Sequence, residues 1–300
     1  MVIAASGQHR AGAGSLPAPF DPVIYRHANP DLSSFSELEL AEHYEAFGRD
    51  EGRVCSSVSG RLAFLELFRL TESKLEIGPF DVPLFRDDGT HYADVLDSDG
   101  LRSRATELAR NPAGVPNITW VIPNGDLSVI STQYDLVASA HAIEHTPDLV
   151  AHLAQVSALL NPGGRYALII PDRRFCFDQF LAPTTIASVL QASLEKRCRH
   201  TLESFLEHRA LTTHNDPVRH WMGDHGQQVT DPETLSSLLM EYASSEGYLD
   251  VHAWKFDPQS FGDLLQLLQS IGRTELVLER VYPTIRNDLE FFAVLRKPGA

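Results

Sequence analysis

Residues 134–172 read YDLVASAHAIEHTPDLVAHLAQVSALLNPGGRYALIIPD, and this stretch decides the fold. YDLVASA and RYALIIP are short, nearly continuous apolar runs, the texture of strands covered on both faces. Between them the chain reads as a helix. Thr146 can cap it, Pro147 can be its first residue, and Asp148 places an acid in the first turn, where the helix dipole favours one. Leu149, Leu153, Val156 and Leu160 recur at helical spacing, and Asn161-Pro162-Gly163-Gly164 ends the run. Strand, helix and strand in succession form the crossover unit of a parallel sheet.

The same alternation extends outward. Upstream, KLEIG (74–78) is a short strand closed by a glycine, and HYADVLD (91–97) is a second. SDGLRSRATELARN (98–111) looks helical, and NITWVI (117–122) is a further strand. Downstream, residues 173–249 break the pattern with a histidine-containing, mostly helical insertion. FDPQSFGDLLQLLQSIG (256–272) restores a helix. TELVLERVY and LEFFAVLRK follow as strands joined by a short loop, hence antiparallel neighbours. The expected fold is α/β, a mostly parallel sheet with an antiparallel C-terminal hairpin, whose ligand crevice lies at the carboxyl ends of the strands.

Ahead of the sheet, residues 1–16 are small and Gly/Ala-rich and are expected to form a disordered tail. Residues 17–56 suggest a small helical module, with Ser36 as a cap, Leu40, Tyr44 and Phe47 on one face, and Gly48 at the end. RLAFLELFRLTES then reads as an amphipathic helix with Leu62, Phe64, Leu65 and Phe68 inward. The division expected is 17–56 module, 57–172 core, 173–249 insertion over the acceptor, and 250–300 completion of the core.

With 43% hydrophobic and 22% charged residues, the 300-residue chain can bury a substantial core. A net charge of −15 argues against nonspecific nucleic-acid binding, which rests on basic surface. Three cysteines, Cys55, Cys176 and Cys198, are too few for a disulfide framework. Reduced thiols, no apolar run of membrane-spanning length and no basic-then-apolar leader together suggest a cytoplasmic protein.

The turn after the first strand restricts the ligand. A pyrophosphate needs several backbone N–H groups at close approach, but Gly78 is followed by Pro79 and Phe80, which disfavours NAD or FAD. A phosphate-free cofactor such as S-adenosylmethionine (SAM) tolerates this turn. Glu76 and Gly78 suit its amino-acid end, and Asp94 can accept from both ribose hydroxyls. Asp126 in PNGD can accept from the adenine amino group. Each acid taken singly reads better as a solvated strand-end carboxylate; four in register shift the balance toward donor binding.

The ordered set LEIGPF, YADVL, NGD, YDLVASA, EHTPD and LNPGG resembles the class I SAM-dependent methyltransferases, over residues 60–172 and 250–300. That resemblance implies a Rossmann-like, seven-stranded, mostly parallel sheet with the last strand inserted antiparallel. It also implies donor contacts at Glu76, Gly78, Pro79, Asp94, Asp126, Ser139 and His141. The chain departs from the family's usual Gly-x-Gly at Gly78-Pro79-Phe80. In residues 20–53, Phe20-Asp21-Pro22, Asn29-Pro30-Asp31-Leu32, His43-Tyr44 and Gly48 are similar to short helical modules attached to bacterial glycosyltransferases. This implies a sugar, sugar-nucleotide or glycan-related hydroxyl as methyl acceptor. A small-molecule O- or N-methyltransferase of a secondary pathway is the other reading within the class.

Candidate catalytic groups follow the same strand ends. His141-Ala-Ile-Glu144-His145 has the form of an inverted zinc-protease motif, but Thr146-Pro147 opposes the continuous helix that motif needs. The segment reads better as a turn of helical character. His141 is then a candidate general base, and His145 either orients a substrate or simply stabilises the turn. A divalent metal held by His141, Glu144 and His145, in a hydrolase, is the rival from outside the class. Asp172 can take a proton, and Arg173 and Arg174 can clamp an anion or pair with neighbouring acids. In the insertion, His214 and His220 are substrate-side candidates, alongside His200, His208 and His225, whose spacings fit no metal template. His252-Ala253-Trp254 resembles a turn of related methyltransferases.

Overall fold

The computed structural model describes residues 15–228, 230–246 and 249–299. Among these, the strands Lys74–Ile77 (β1), Thr90–Asp94 (β2), Trp120–Val121 (β3), Tyr134–Ala140 (β4), Leu160–Pro171 (β5), Val277–Tyr282 (β6) and Glu290–Arg296 (β7) form one sheet. Their order is β3-β2-β1-β4-β5-β7-β6. β1 to β5 pair in parallel, and β7 runs antiparallel between β5 and β6. The order reverses between β1 and β4, which opens the crevice at their carboxyl ends.

Side-chain alternation along the central strands builds two cores. Val137, Tyr166, Leu168, Ile170, Phe291, Ala293 and Leu295 face one side, and pack against Leu149, Leu153 and Val156 and against Phe261, Leu264 and Leu265. Leu136, Ala138, Ala167, Ile169, Phe292 and Val294 face the other, against Phe64, Phe68 and Phe85. Period-two strands between helical layers thus bury both faces, as the apolar runs require.

Several local expectations need correction. The helix after β4 is capped by Asp148, not Thr146, and spans Leu149–Leu159; Leu160 already belongs to β5, and Asn161 to Gly164 lie within that strand. The third strand shrinks from NITWVI to Trp120–Val121. Leu62 is 85% exposed, because the short helix Arg61–Glu66 turns Phe64 inward, with Phe68 beyond its end. Phe47 is exposed too, where the π-helical turn Tyr44–Gly48 rotates it off the face of Leu40 and Tyr44. Of the expected tail, residues 1–14 lie outside the described residues, while Leu16 is buried in the second core.

In the N-terminal segment, Tyr25, Leu32, Leu40, Tyr44 and Cys55 form their own apolar cluster. It is tied to the rest by the Tyr282 hydroxyl, which donates to Pro17 O at 2.9 Å, and by Arg286 N, which donates to Gly52 O at 2.8 Å. Among the described residues no helix is long and apolar enough to cross a membrane.

Candidate active site

β1 ends in a left-handed turn at Gly78 (φ 71°), and a Cβ there would lie 3.6 Å from that of Ala142, beyond β4. Phe80 also has positive φ (43°), and its ring packs against the cluster of Leu101, Ala105 and Val115, beneath Arg110. The ring therefore belongs to the helix layer beside β2. Gly78 N donates to Ala93 O at 2.9 Å, holding the turn against the tip of β2, where Asp94 is buried. Asp94 accepts from Val95 N at 2.7 Å and more distantly from Phe80 N at 3.4 Å. Burial pushes its carboxyl up to about 6 despite these donors.

Glu76 is differently engaged. It is buried on β1, and both its oxygens accept from Leu84 N, at 2.8 and 2.9 Å, with Phe85 N at 3.3 Å. Burial raises its carboxyl to about 7. Its observed work is to organise residues 84–85. Ser139 is buried with its hydroxyl on the Tyr166 hydroxyl at 2.9 Å, which is in turn hydrogen-bonded to His152 at 3.0 Å. Asp126 accepts from Gln155 Nε2 at 2.7 Å and from Ser128 N, whose bonds lower its pKa.

His141 follows β4 with φ 49°, a conformation that non-glycine residues adopt mostly where the surroundings impose it. Its N–H donates to Ile169 O at 2.9 Å, and its Nε2 lies 3.0 Å from Glu290 at the start of β7. Arg61 grips the same carboxylate through both its oxygens, at 2.8 and 2.5 Å. Burial opposes charge on Glu290, yet Arg61 and then His141 hold its carboxyl down to about 2. Neither Arg61 nor Glu290 stands out in sequence; the one signal is an acid opening the apolar run FFAVL.

Ile143–His145 forms a single 3₁₀ turn, as the proline implied. The grouping of His141, Glu144 and His145 is not what forms: His141 is turned to Glu290, and His252 takes its place beside Glu144 and His145. His145 Nδ1 lies 3.0 Å from Asp250, and His252 Nδ1 lies 2.6 Å from Asp178. Burial works against charge on His145, but Asp250 and Glu144 outweigh it and raise its pKa. Burial pushes His252 down to about 3 and Asp178 up to about 6.

Asp172 is fully buried at the end of β5, accepting from Arg174 at 2.7 Å and from the Thr284 hydroxyl at 2.7 Å. Arg173 donates to Leu181 O at 3.1 Å. Arg174 reaches a cleft of about 400 Å³ lined also by Phe20, Tyr44, Arg49, Asp257 and Pro283, between the N-terminal cluster and the sheet. His214 stacks on His220, whose Nδ1 lies 3.0 Å from that of His225, so these histidines engage one another.

No protein-family model matches the chain. No curated protein matches it either. Among solved structures it is similar to the mitomycin 7-O-methyltransferase MmcR, with 13% identity and a TM-score of 0.39, over 96% of this chain and 62% of that one. It is similar to an S-adenosylmethionine-dependent methyltransferase from Clostridium acetobutylicum, with 11% identity and a TM-score of 0.40, over 87% of this chain and 99% of that one. It is likewise similar to a putative Zn-dependent alcohol dehydrogenase from Rhodobacter sphaeroides, with 15% identity and a TM-score of 0.42, over 86% of this chain and 98% of that one. Likeness at this level fixes no chemistry, which has to be argued from the residues at the strand ends.

Proposed function

We propose that the chain is a SAM-dependent methyltransferase that methylates a hydroxyl of a sugar, sugar nucleotide or related polar acceptor. The observation that carries this reading is the sheet order β3-β2-β1-β4-β5-β7-β6 with β7 reversed. It is the arrangement implied by the resemblance of LEIGPF, YADVL and EHTPD to the class I enzymes, and it leaves a glycine turn and a buried acid side by side at the switch point. The residues fit the donor: the Gly78 turn is free of side chain, and the Asp94 carboxylate stands beside it, reached by Phe80 N only at 3.4 Å. Asp94 would accept from the ribose hydroxyls, Gly78 would let the methionyl end approach the backbone, and Asp126 would meet the adenine edge. Glu76 supports this surface by fixing residues 84–85 rather than by touching the donor. When bound, the donor supplies an electrophilic methyl group on a sulfonium.

The chain's own task is then to align the acceptor and take its proton. His141 is the strongest base candidate. Glu290 holds Nε2, which leaves Nδ1 to meet a substrate hydroxyl, an oriented imidazole of the kind that proton abstraction requires. The cleft where Arg174 meets Phe20 and Tyr44 supports a sugar-like acceptor, since aromatic faces and a guanidinium suit polyhydroxylated rings. Cys55, Cys176 and Cys198 are free, in keeping with a reducing cytoplasmic setting.

Calorimetry with S-adenosylhomocysteine tests the donor site. Asp94→Ala should weaken binding at least tenfold, because the diol loses its acceptor. Unchanged affinity, or no binding by the unmodified chain, overturns the assignment. Transfer of labelled methyl from SAM to a panel of sugars and sugar nucleotides tests the acceptor, and His141→Ala should lower turnover far more than donor affinity.

A further inference from the structure

Glu144 is 1% exposed, and neither of its carboxylate oxygens has a hydrogen-bond partner. A buried carboxylate left in this condition costs more than almost any other defect in a folded chain. Two imidazoles face it. Nε2 of His145 lies 3.7 Å from Glu144 Oε1, and Nε2 of His252 lies 3.8 Å from the same oxygen. These separations are too long for hydrogen bonds and nearly equal. One ligand atom from each of the three residues lies within 4.8 Å of the others. A tetrahedral cation bound at about 2.0–2.1 Å by each ligand holds its ligand atoms roughly 3.3 Å apart. Closing the two carboxylate–imidazole spacings to that value takes about half an ångström each.

The outer nitrogens strengthen the case. His145 Nδ1 faces Asp250 at 3.0 Å, and His252 Nδ1 faces Asp178 at 2.6 Å. The His252–Asp178 hydrogen bond favours the tautomer that presents His252 Nε2 as a lone pair, which is how metal-binding histidines are oriented, and Asp250 stands behind the other imidazole. The two ligand-bearing segments are also fastened together. Glu144 O accepts from Ala253 N at 2.8 Å and Trp254 N at 3.2 Å, and Trp254 Nε1 donates to Thr146 O at 2.6 Å. The site is thus built from a 3₁₀ turn and a loop more than a hundred residues apart, not from one flexible stretch.

We propose that Glu144 Oε1, His145 Nε2 and His252 Nε2 bind one divalent transition-metal cation of the zinc class. Two nitrogens and one carboxylate select this class over magnesium or calcium, which prefer all-oxygen sites. Three protein ligands leave a coordination position for water or an acceptor oxygen. The cation would neutralise the orphaned Glu144 and lie one turn from Ala142, the residue that abuts Gly78. The site stands whether or not the chain binds SAM.

The test uses the full chain, stripped with chelator and dialysed, then titrated calorimetrically with Zn²⁺ and, in parallel, with Co²⁺ followed by visible absorption. One equivalent should bind with micromolar or tighter affinity, and Co²⁺ should develop the intense d–d bands of a four-coordinate site. Glu144→Gln and His252→Ala should each weaken binding at least tenfold, while His27→Ala, at an exposed histidine far along the chain, should not. Glu144→Gln is nearly isosteric, so it retains a readout if His252→Ala fails to fold. No saturable single equivalent, or binding unaffected by both substitutions, overturns the site and attributes any uptake to surface histidines. Metal binding without S-adenosylhomocysteine binding would sink the donor reading and leave this one intact.

Discussion

At the scale of single residues, the carboxylates at the strand ends differ in what already holds them. Glu76 is enclosed and raised to about 7, so the folded chain keeps a proton that the unfolded chain has released above pH 5. A raised folded-state pKa contributes stability that is present below the unfolded value of about 4.5 and is lost as pH rises through 7. Glu76→Gln removes this dependence, and an amide oxygen can still accept from Leu84 N. Relative to the unmodified chain it should gain roughly 3 kcal/mol between pH 4.5 and 8, measured by urea unfolding at several pH values. A parallel pH dependence in both proteins would show that the carboxyl is not perturbed. The sequence made the acids legible by their spacing from each strand, but not their engagement. Whether Glu76 meets a ligand or Leu84 N depends on the path of a loop that carries no periodicity, and Asp94 and Glu76 look alike until that path is known.

At the scale of elements, strand and helix identities were readable from period two and period 3.6, and the ends were not. The cap of Leu149–Leu159 shifts from Thr146 to Asp148 because residues 143–145 complete a separate 3₁₀ turn first. Asp148 then accepts from Ala151 N at 3.0 Å. Asp148→Ala should lower stability by about 1 kcal/mol and reduce the melting temperature, whereas Thr146→Val should act through Trp254 and its neighbours rather than through the helix end. Equal effects on helix protection in hydrogen exchange would contradict the assignment. The same limit explains Leu62 and Phe47: in helices of one or two turns, a shift of one residue moves a side chain from core to solvent. The EHTP turn was legible because a proline forbids the alternative. The partnership of Glu144 with His252 was not, since it joins residues that only the completed sheet brings together.

For the whole molecule, Trp221 of the helical insertion lies where the N-terminal segment, the stretch after β5 and the β6–β7 loop meet. Trp221 stacks on Phe175 at 3.8 Å and 8°, and its indole N–H donates to Asp288 O at 2.9 Å. Gly52 passes so near that a Cβ would meet the Trp221 ring at 2.5 Å. Trp221→Ala should cost about 2 kcal/mol and accelerate proteolysis around residues 49–56. An unchanged cleavage pattern would mean that the segment is held by other contacts. Sequence alone separated this segment by its texture, while its seat on Trp221 required three distant stretches to be folded.

His141 reaches its carboxylate partner across 149 positions of chain. Glu290 opens β7, which follows β1 to β5 along the chain, so a nascent polypeptide can assemble those five strands while its imidazole still lacks an anchor. That imidazole is therefore held only once the β6–β7 hairpin slots in beside β5, and a chain cut before Glu290 would keep β1 to β5 without the anchor.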